Sequence, residues 1–355
     1  MLSSSCNHLR SGLRMLVGIA RGLSVLLIGL AGLVGAQASV DNGGSGQVPP
    51  GQVPTMQSIH AAAIAQDVTA TRIRRYRCHD GSMVSVRELL ETNGAGSAPK
   101  RDLTFLGVEG EPVGSALSLK WSQTYQRFNL LLATSGVFCV RDLARAQQNY
   151  TLYDFGPVVR SMRSAHRFVV FPNTFDRAFW VIDVDQQTSA LLYSAEFDGQ
   201  MRMLSEVEVV AFQPSARSLT TPSVATYSDF TTASAQMTNS AGLIAPDVSL
   251  VSSYGLDWIE VRDDVLSGQQ VMVSNYSDGV DQLMVVQIPG TSDWMAGLPG
   301  TRKGGQAMGR RYRDPTMSVH MFWEGGVTFH VAGGGALANL EQLAKHIYQQ
   351  AVATQ

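Results

Sequence analysis

Charge is scarce in this sequence: 27 basic and 29 acidic side chains in 355 residues, 16% of the chain, with a formal net charge of −2. Nucleic-acid binders neutralise phosphates with clustered Lys and Arg, so this balance excludes nucleic acid from the expected partners. Cysteine is scarcer still, with three residues, and Cys6 falls inside the leader described below. Cys78 and Cys139 are far from the CxxC spacing of a redox pair or a zinc knuckle. No Gly-x-Ser-x-Gly nucleophile elbow occurs. His60, His79, His166, His320, His330 and His346 are scattered. His320 and His330 could face each other on neighbouring strands, but no Asp, Glu or Cys joins them at ligand spacing. No catalytic residue, cofactor or metal is therefore expected.

What is present begins at the N-terminus. Arg10, Arg14 and Arg21 precede an uncharged stretch, Gly22 to Ala38, whose core Leu23-Ser24-Val25-Leu26-Leu27-Ile28-Gly29-Leu30 is dense in large apolar side chains. It closes on Ala36-Gln37-Ala38, and the order charged, apolar, small-x-small is that of a bacterial secretory signal over residues 1–38, with Met15 as an alternative start. An uncleaved anchor wants about 20 apolar residues, and this Gly-rich run is shorter. No later stretch is long and apolar enough to cross a bilayer. Export places the remainder in an oxidising compartment, the periplasm, where Cys78 and Cys139 are candidates for a disulfide worth about 4 kcal/mol. Two separate buried thiols are the alternative.

Residues 39–55 are rich in Gly, Pro and Gln and predict a flexible tether. Met56, Ile59, Ala63 and Ile64 then sit at helical spacing. Residues 71–92 alternate as a hairpin about His79 to Ser82, 103–108 form a further strand, 128–140 look extended, and 143–148 make a helical turn. From Tyr150 to Pro214, four or five strands joined by short turns predict an antiparallel meander with one apolar face per strand, which must curl or be covered. Residues 215–247 are Ser-, Thr- and Ala-rich and read as an interdomain linker. A second unit follows over 248–355: strands near 258–261, 270–276, 282–288, 317–323 and 327–331, then an amphipathic helix over 337–352. The whole is α+β, an unclosed antiparallel barrel over 56–214 with a second, smaller α/β domain.

Two groups of residues invite a chemical role. Asp183 and Asp185 share a strand face and could serve acid–base work, but they flank turns, where Asp caps the chain. Gly333-Gly334-Gly335 lacks the Lys-Ser/Thr of a phosphate loop and reads as a strand-to-helix connection. The large apolar residues Phe168, Phe171, Phe179, Trp180, Tyr193 and Phe197 sit on the meander, where a half-open barrel leaves a groove for an acyl chain or an extended peptide. Taken singly, each suits the core as well.

The run Arg167-Phe-Val-Val-Phe-Pro172, then Arg177-Ala-Phe-Trp-Val-Ile-Asp-Val-Asp185, Thr188, Leu191-Leu192 and Phe197-Asp-Gly-Gln200 resembles the MucB/RseB family of periplasmic sigma-E regulators. The strand ending Val209-Val210-Ala211-Phe212, the turn Tyr276-Ser277-Asp278-Gly279 and the segment Trp323-Glu-Gly-Gly-Val-Thr-Phe-His-Val331 are similar as well. Ser189 stands where a Gly often follows Thr in that turn, and residues 93–127 do not align. The resemblance implies a first domain like the carriers LolA and LolB, with a hydrophobic groove, and a smaller C-terminal domain. It implies binding of the periplasmic segment of a membrane-embedded anti-sigma factor, shielding from proteolysis, release by lipopolysaccharide or a related lipid, and a part in envelope stress. The alternative is a periplasmic lipid or lipoprotein carrier, and a hydrolase with a triad assembled from distant residues is a third reading. Self-association stays open.

Overall fold

Two antiparallel sheets organise the chain, each built from strands whose side chains alternate between two faces. A computed structural model of the protein describes residues 53–354 apart from 66, 78–81, 94–99, 135, 175–176, 214–224, 264–268, 291–309, 315–316 and 335–339. The expected signal segment, nearly all of the tether, and Cys78, hence the candidate bridge to Cys139, lie outside these residues.

The first sheet takes its elements in the order α1 (Met56–Ala65), β1 (Val68–Arg77), β2 (Met83–Asn93), β3 (Lys100–Val108), α2 (Ala116–Thr134), α3 (Leu143–Asn149), β4 (Tyr150–Arg160), β5 (Arg163–Pro172), β6 (Phe179–Asp185), β7 (Leu191–Phe197) and β8 (Met203–Gln213). Its strand order is β3-β2-β1-β8-β7-β6-β5-β4. The early hairpin joins the end of the meander through β1 and β8, while β3 and β4 remain edges. The sheet is therefore unclosed, in line with the α+β expectation. α1 packs Met56 and Ile59 against Phe168, Val170 and Trp180 at the β5–β6 end. α2 packs Trp121, Tyr125 and Leu132 against Tyr76, Val86 and Leu103 at the β1–β3 end.

Residues 128–134 are the last turns of α2, where an extended segment was expected. A short apolar run such as Leu130-Leu131-Leu132 suits either state. The register Leu117, Trp121, Tyr125 and Leu132, one helical face, is the signal that decides it. The β4–β5 hairpin is also hidden in the sequence. It closes across Arg160 and Arg163, so Ser161 and Met162, with φ of 52° and 59°, make its two-residue loop. Positive φ at both positions matches the strand twist, although neither residue is the usual Asn or Gly.

The second sheet comprises β9 (Ala225–Tyr227), α4 (Phe230–Ser234), β10 (Gly255–Asp263), β11 (Gln270–Ser277), β12 (Gln282–Pro289), β13 (Arg310–Asp314), β14 (Met317–Glu324), β15 (Val327–Gly334) and α5 (Leu340–Ala353). Its order is β13-β14-β15-β12-β11-β10-β9. α5 buries Leu340, Leu343, Ala344, Ile347 and Ala351, the face expected from their spacing, in a core shared with Phe322, Phe329 and Val331.

The linker expected over 215–247 is corrected from residue 225 onward. β9 pairs with β10, Asp229 caps α4 by accepting the Thr232 N–H, and Ala233, Met237, Leu243 and Ile244 are buried in the second core. A side-chain amide holds this segment down. Gln287 accepts from the Ile244 N–H and donates to the Ile244 carbonyl, both at 2.9 Å. Its Ser/Thr/Ala composition hides the few apolar residues that are buried.

Candidate functional site

A cleft opens on the face of the first sheet that carries α1. Its walls are Ile59, Ala62 and Ala63 of α1, residues of β1, β2 and β8, the segment 137–140, the β6–β7 turn at Ser189 and Ala190 and the start of β7, and it encloses about 120 Å³. Small and branched aliphatic side chains dominate, among them Val68, Ala70, Leu90, Leu192, Val207 and Val209. The cleft exists because the helices stand apart: α1 covers the β5–β6 end and α2 the β1–β3 end, leaving the middle strands less filled.

Beneath this apolar wall lies a buried charge cluster. Arg74 Nε donates to both Glu88 carboxylate oxygens at 3.2 and 3.1 Å, and its Nη2 donates to Glu88 Oε1 at 3.0 Å and to the Leu132 carbonyl at 2.7 Å. The Tyr125 hydroxyl donates to Glu88 Oε2 at 2.5 Å. Arg72 pairs with Glu88 Oε1 through Nη2 at 2.5 Å, while its Nε has no hydrogen-bond partner. Arg72 is 3% exposed, Arg74 and Glu88 not at all. Burial alone would raise the Glu88 carboxyl, but Arg72, Arg74 and the Tyr125 hydroxyl outweigh it and hold the carboxyl low. Burial lowers the Arg72 guanidinium, Glu88 opposes this, and neighbouring Arg74 adds to the lowering.

The six aromatic residues expected to line a groove divide between the two sheet faces. Phe168 and Trp180 point to the α1 side and are core, at 1% and 2% exposure. Phe171, Phe179 and Phe197 point the other way and stack on one another, with centroids 5.1 and 4.9 Å apart. Tyr193 borders the cleft, while its ring receives the Arg160 guanidinium at 4.3 Å. The groove assignment is thereby corrected: of the six, only Tyr193 touches the cleft. Selecting residues by size mixed two faces that the two-residue period separates. Applied strand by strand, that period would have favoured Leu192, Val207 and Val209.

Asp183 and Asp185 are structural. Asp183 accepts from Arg167 at 2.7 and 2.9 Å and from Arg160 at 2.9 Å. Asp185 accepts from Arg163 and from the Thr188 N–H and hydroxyl, capping the turn. Burial alone would raise its carboxyl; those hydrogen bonds bring it below the usual range. In the same turn Ser189 has φ of 56°, the left-handed region that Gly adopts without strain. His320 stands opposite Val331 and His330 opposite Met321, so the two imidazoles point to opposite faces and cannot converge.

The turn Tyr276-Ser277-Asp278-Gly279 is a plug between the sheets, which belong to one compact unit. The Tyr150 hydroxyl donates to Asp278 Oδ2 at 2.8 Å, Asn149 donates to the Asp278 carbonyl at 2.8 Å, and Arg145 Nη1 donates to the Ser277 carbonyl at 2.8 Å. The Arg141 N–H donates to the Gly279 carbonyl at 2.8 Å, and Val280 joins the first core. The Tyr276 hydroxyl reaches the Pro246 carbonyl at 3.2 Å. Gly279 has φ of 104°, and a Cβ there would lie 2.1 Å from the Ala146 nitrogen. Burial and then Asp278 push Asp281 up to about 6, and burial and then Asp281 push Glu196, on β7, up to about 8. Ser205 Oγ lies 3.1 Å from both Glu196 Oε2 and the Gly136 carbonyl. One hydroxyl proton cannot serve both acceptors fully, whereas a protonated Glu196 donates to Ser205 and leaves its proton for Gly136.

No family model and no curated protein matches the chain. Among solved structures it is similar to MucB, with 14% identity and a TM-score of 0.42, covering 81% of this chain and 93% of that one. It is also similar to the MucA/MucB complex of Pseudomonas aeruginosa, with 15% identity and a TM-score of 0.41 over 81% and 95% of the two chains. A lipoprotein-sorting protein domain of Vibrio parahaemolyticus shares 9% identity, with a TM-score of 0.21 over 44% of this chain and 88% of that one.

Proposed function

We propose that this chain is a periplasmic, non-catalytic regulator. It holds the periplasmic segment of a membrane-embedded anti-sigma factor by an apolar stretch laid in the cleft, shields that segment from proteolysis, and lets go when a lipid takes its place. The observation that carries the binding part is the aliphatic cleft between α1 and the middle strands of an unclosed sheet. The identity of the partner rests on the sequence motifs at 167–200 and 276–279. Binding and occlusion need no reacting group, which suits a site whose buried carboxylates are committed to ion pairs and turns.

The test is a protection assay. The periplasmic segment of a single-span anti-sigma factor from the same organism is digested by the protease that initiates its degradation, with and without the purified chain. The reading expects slower cleavage and a complex that co-elutes, both lost in Ala63→Phe, which fills the cleft from α1. Unchanged cleavage rates with no complex would remove the regulator reading. Uptake of a lipid or lipoprotein by the same cleft without protection would point to a carrier.

A further inference from the structure

One segment, residues 136–142, joins the cleft to the plug. Val137, Phe138, Cys139 and Val140 form a wall of the cleft, and the Arg141 and Asp142 N–H groups donate to the Gly279 carbonyl at 2.8 and 3.4 Å. The segment is pinned to the sheet by two serines. The Phe138 N–H donates to Ser194 Oγ at 2.9 Å, and the Gly136 carbonyl accepts from Ser205 Oγ at 3.1 Å. Glu196 pairs in register with Ser205 and shares a face of β7 with Ser194. Glu196 is 1% exposed, and among the described residues no cation pairs with its carboxyl.

The cations nearby answer other carboxylates. Arg177 pairs with Asp278 at 3.3 Å, Arg202 with Asp198 at 2.7 Å, and Arg141 attracts Asp281, which also accepts from the Tyr254 hydroxyl. Glu196 itself faces Asp281 of the β11–β12 turn, Asp198 at the end of its own strand, and Trp180, directly opposite on β6. A buried carboxyl among carboxylates and an indole keeps its proton. It then donates to Ser205, whose own proton is left for the Gly136 carbonyl. Ionised, Glu196 can only accept: it takes the Ser205 proton in a charge-assisted bond and strands the buried Gly136 carbonyl. Burial and then Asp281 set that change at about 8.

We propose that Glu196 is a proton-operated latch on segment 136–142. Protonated, it fixes the cleft wall and the clasp on the 276–279 turn together; ionised, it lets the segment open while both sheets stay folded. The latch belongs to the free chain, and only its effect on partner release rests on the regulator reading.

The test is residue-resolved hydrogen exchange of the free chain from pH 6 to pH 9, corrected for the chemical exchange rate, so its failure leaves the regulator reading untouched. The Phe138, Arg141 and Asp142 amides should lose protection about tenfold or more over this range. The loss should level off above about 8, and these amides should stay less protected than that of Ile347, buried in α5. E196Q should abolish the dependence. Asp281→Asn removes a charge that raises Glu196 and should move the levelling to lower pH. Protection that does not change with pH would overturn the latch. So would amides of the segment that exchange only as fast as Ile347, since the segment would then open only with the whole chain. Because the pH dependence is read first on the unsubstituted protein, the result survives a variant that fails to fold.

Discussion

Replacing Glu196 by Gln should stabilise the protein in alkali and leave it unchanged in acid. Glu196 is fully buried, and its carboxyl is pushed from 4.5 up to about 8 by burial and then by Asp281. A carboxyl that holds its proton more tightly when folded makes no demand on stability below 4.5. The folded state loses stability as pH rises above 4.5, and the loss levels off above 8. At about 1.4 kcal/mol per pH unit across that window, the full loss is ~5 kcal/mol, of which under ~1 kcal/mol is present at pH 5. Gln removes the ionisation and keeps the chemistry of the neutral form, since its amide donates to Ser205 Oγ while Ser205 donates to the Gly136 carbonyl. For a chain of this size, each kcal/mol moves Tm by about 2 °C, so E196Q should melt roughly 10 °C higher at pH 9 and near the parent at pH 5. Thermal unfolding followed by dye fluorescence at pH 5, 7 and 9 measures the gap. A gap that does not change with pH, or a variant that melts lower at pH 9, would refute the reasoning.

The other expectations concern the charge cluster, the plug and two local constraints. Glu88→Gln leaves Arg72 and Arg74 without their carboxylate and should destabilise by about 3–5 kcal/mol at pH 7. Since the Glu88 carboxyl is held low, that difference should shrink as pH falls below its unfolded value of 4.5 in a denaturant titration. Gly279→Val forces a Cβ into the Ala146 backbone at a positive φ and should destabilise by ~3 kcal/mol or more, with faster amide exchange at Ala146 and Tyr150. Gln287→Ala strands the Ile244 N–H and carbonyl in the second core, a loss of about 2–4 kcal/mol by chemical denaturation. Ser189→Gly relieves a left-handed backbone and should raise stability by about 1 kcal/mol, read as a higher Tm.

Local pattern alone carried much of the architecture. Strands β4 to β8 and β10 to β12 follow from runs of β-branched and aromatic residues broken by turn chemistry, and α5 from apolar residues three and four apart. The misreadings share a cause: the deciding contact lay far away in sequence. Residues 128–134 became helix because Trp121, Tyr125 and Leu132 pack on β1 to β3. Residues 225–247 were held by Gln287, more than forty positions away. The aromatic groove failed because large side chains were grouped by type across strands whose register was unknown.

By itself, the sequence determined the α+β composition, the antiparallel meander, the closing helix and the turn at 276–279, because each depends on neighbours a few residues apart. Where the cleft opens, which residues line it, and what the turn at 276–279 does were decided only by tertiary structure. Bringing Arg72 and Ser189 to one cleft, with Glu88 and Tyr125 behind Arg72, takes β1, β2, α2 and the β6–β7 turn together. No local period encodes which of two sheet faces a helix will cover, and that choice created the site.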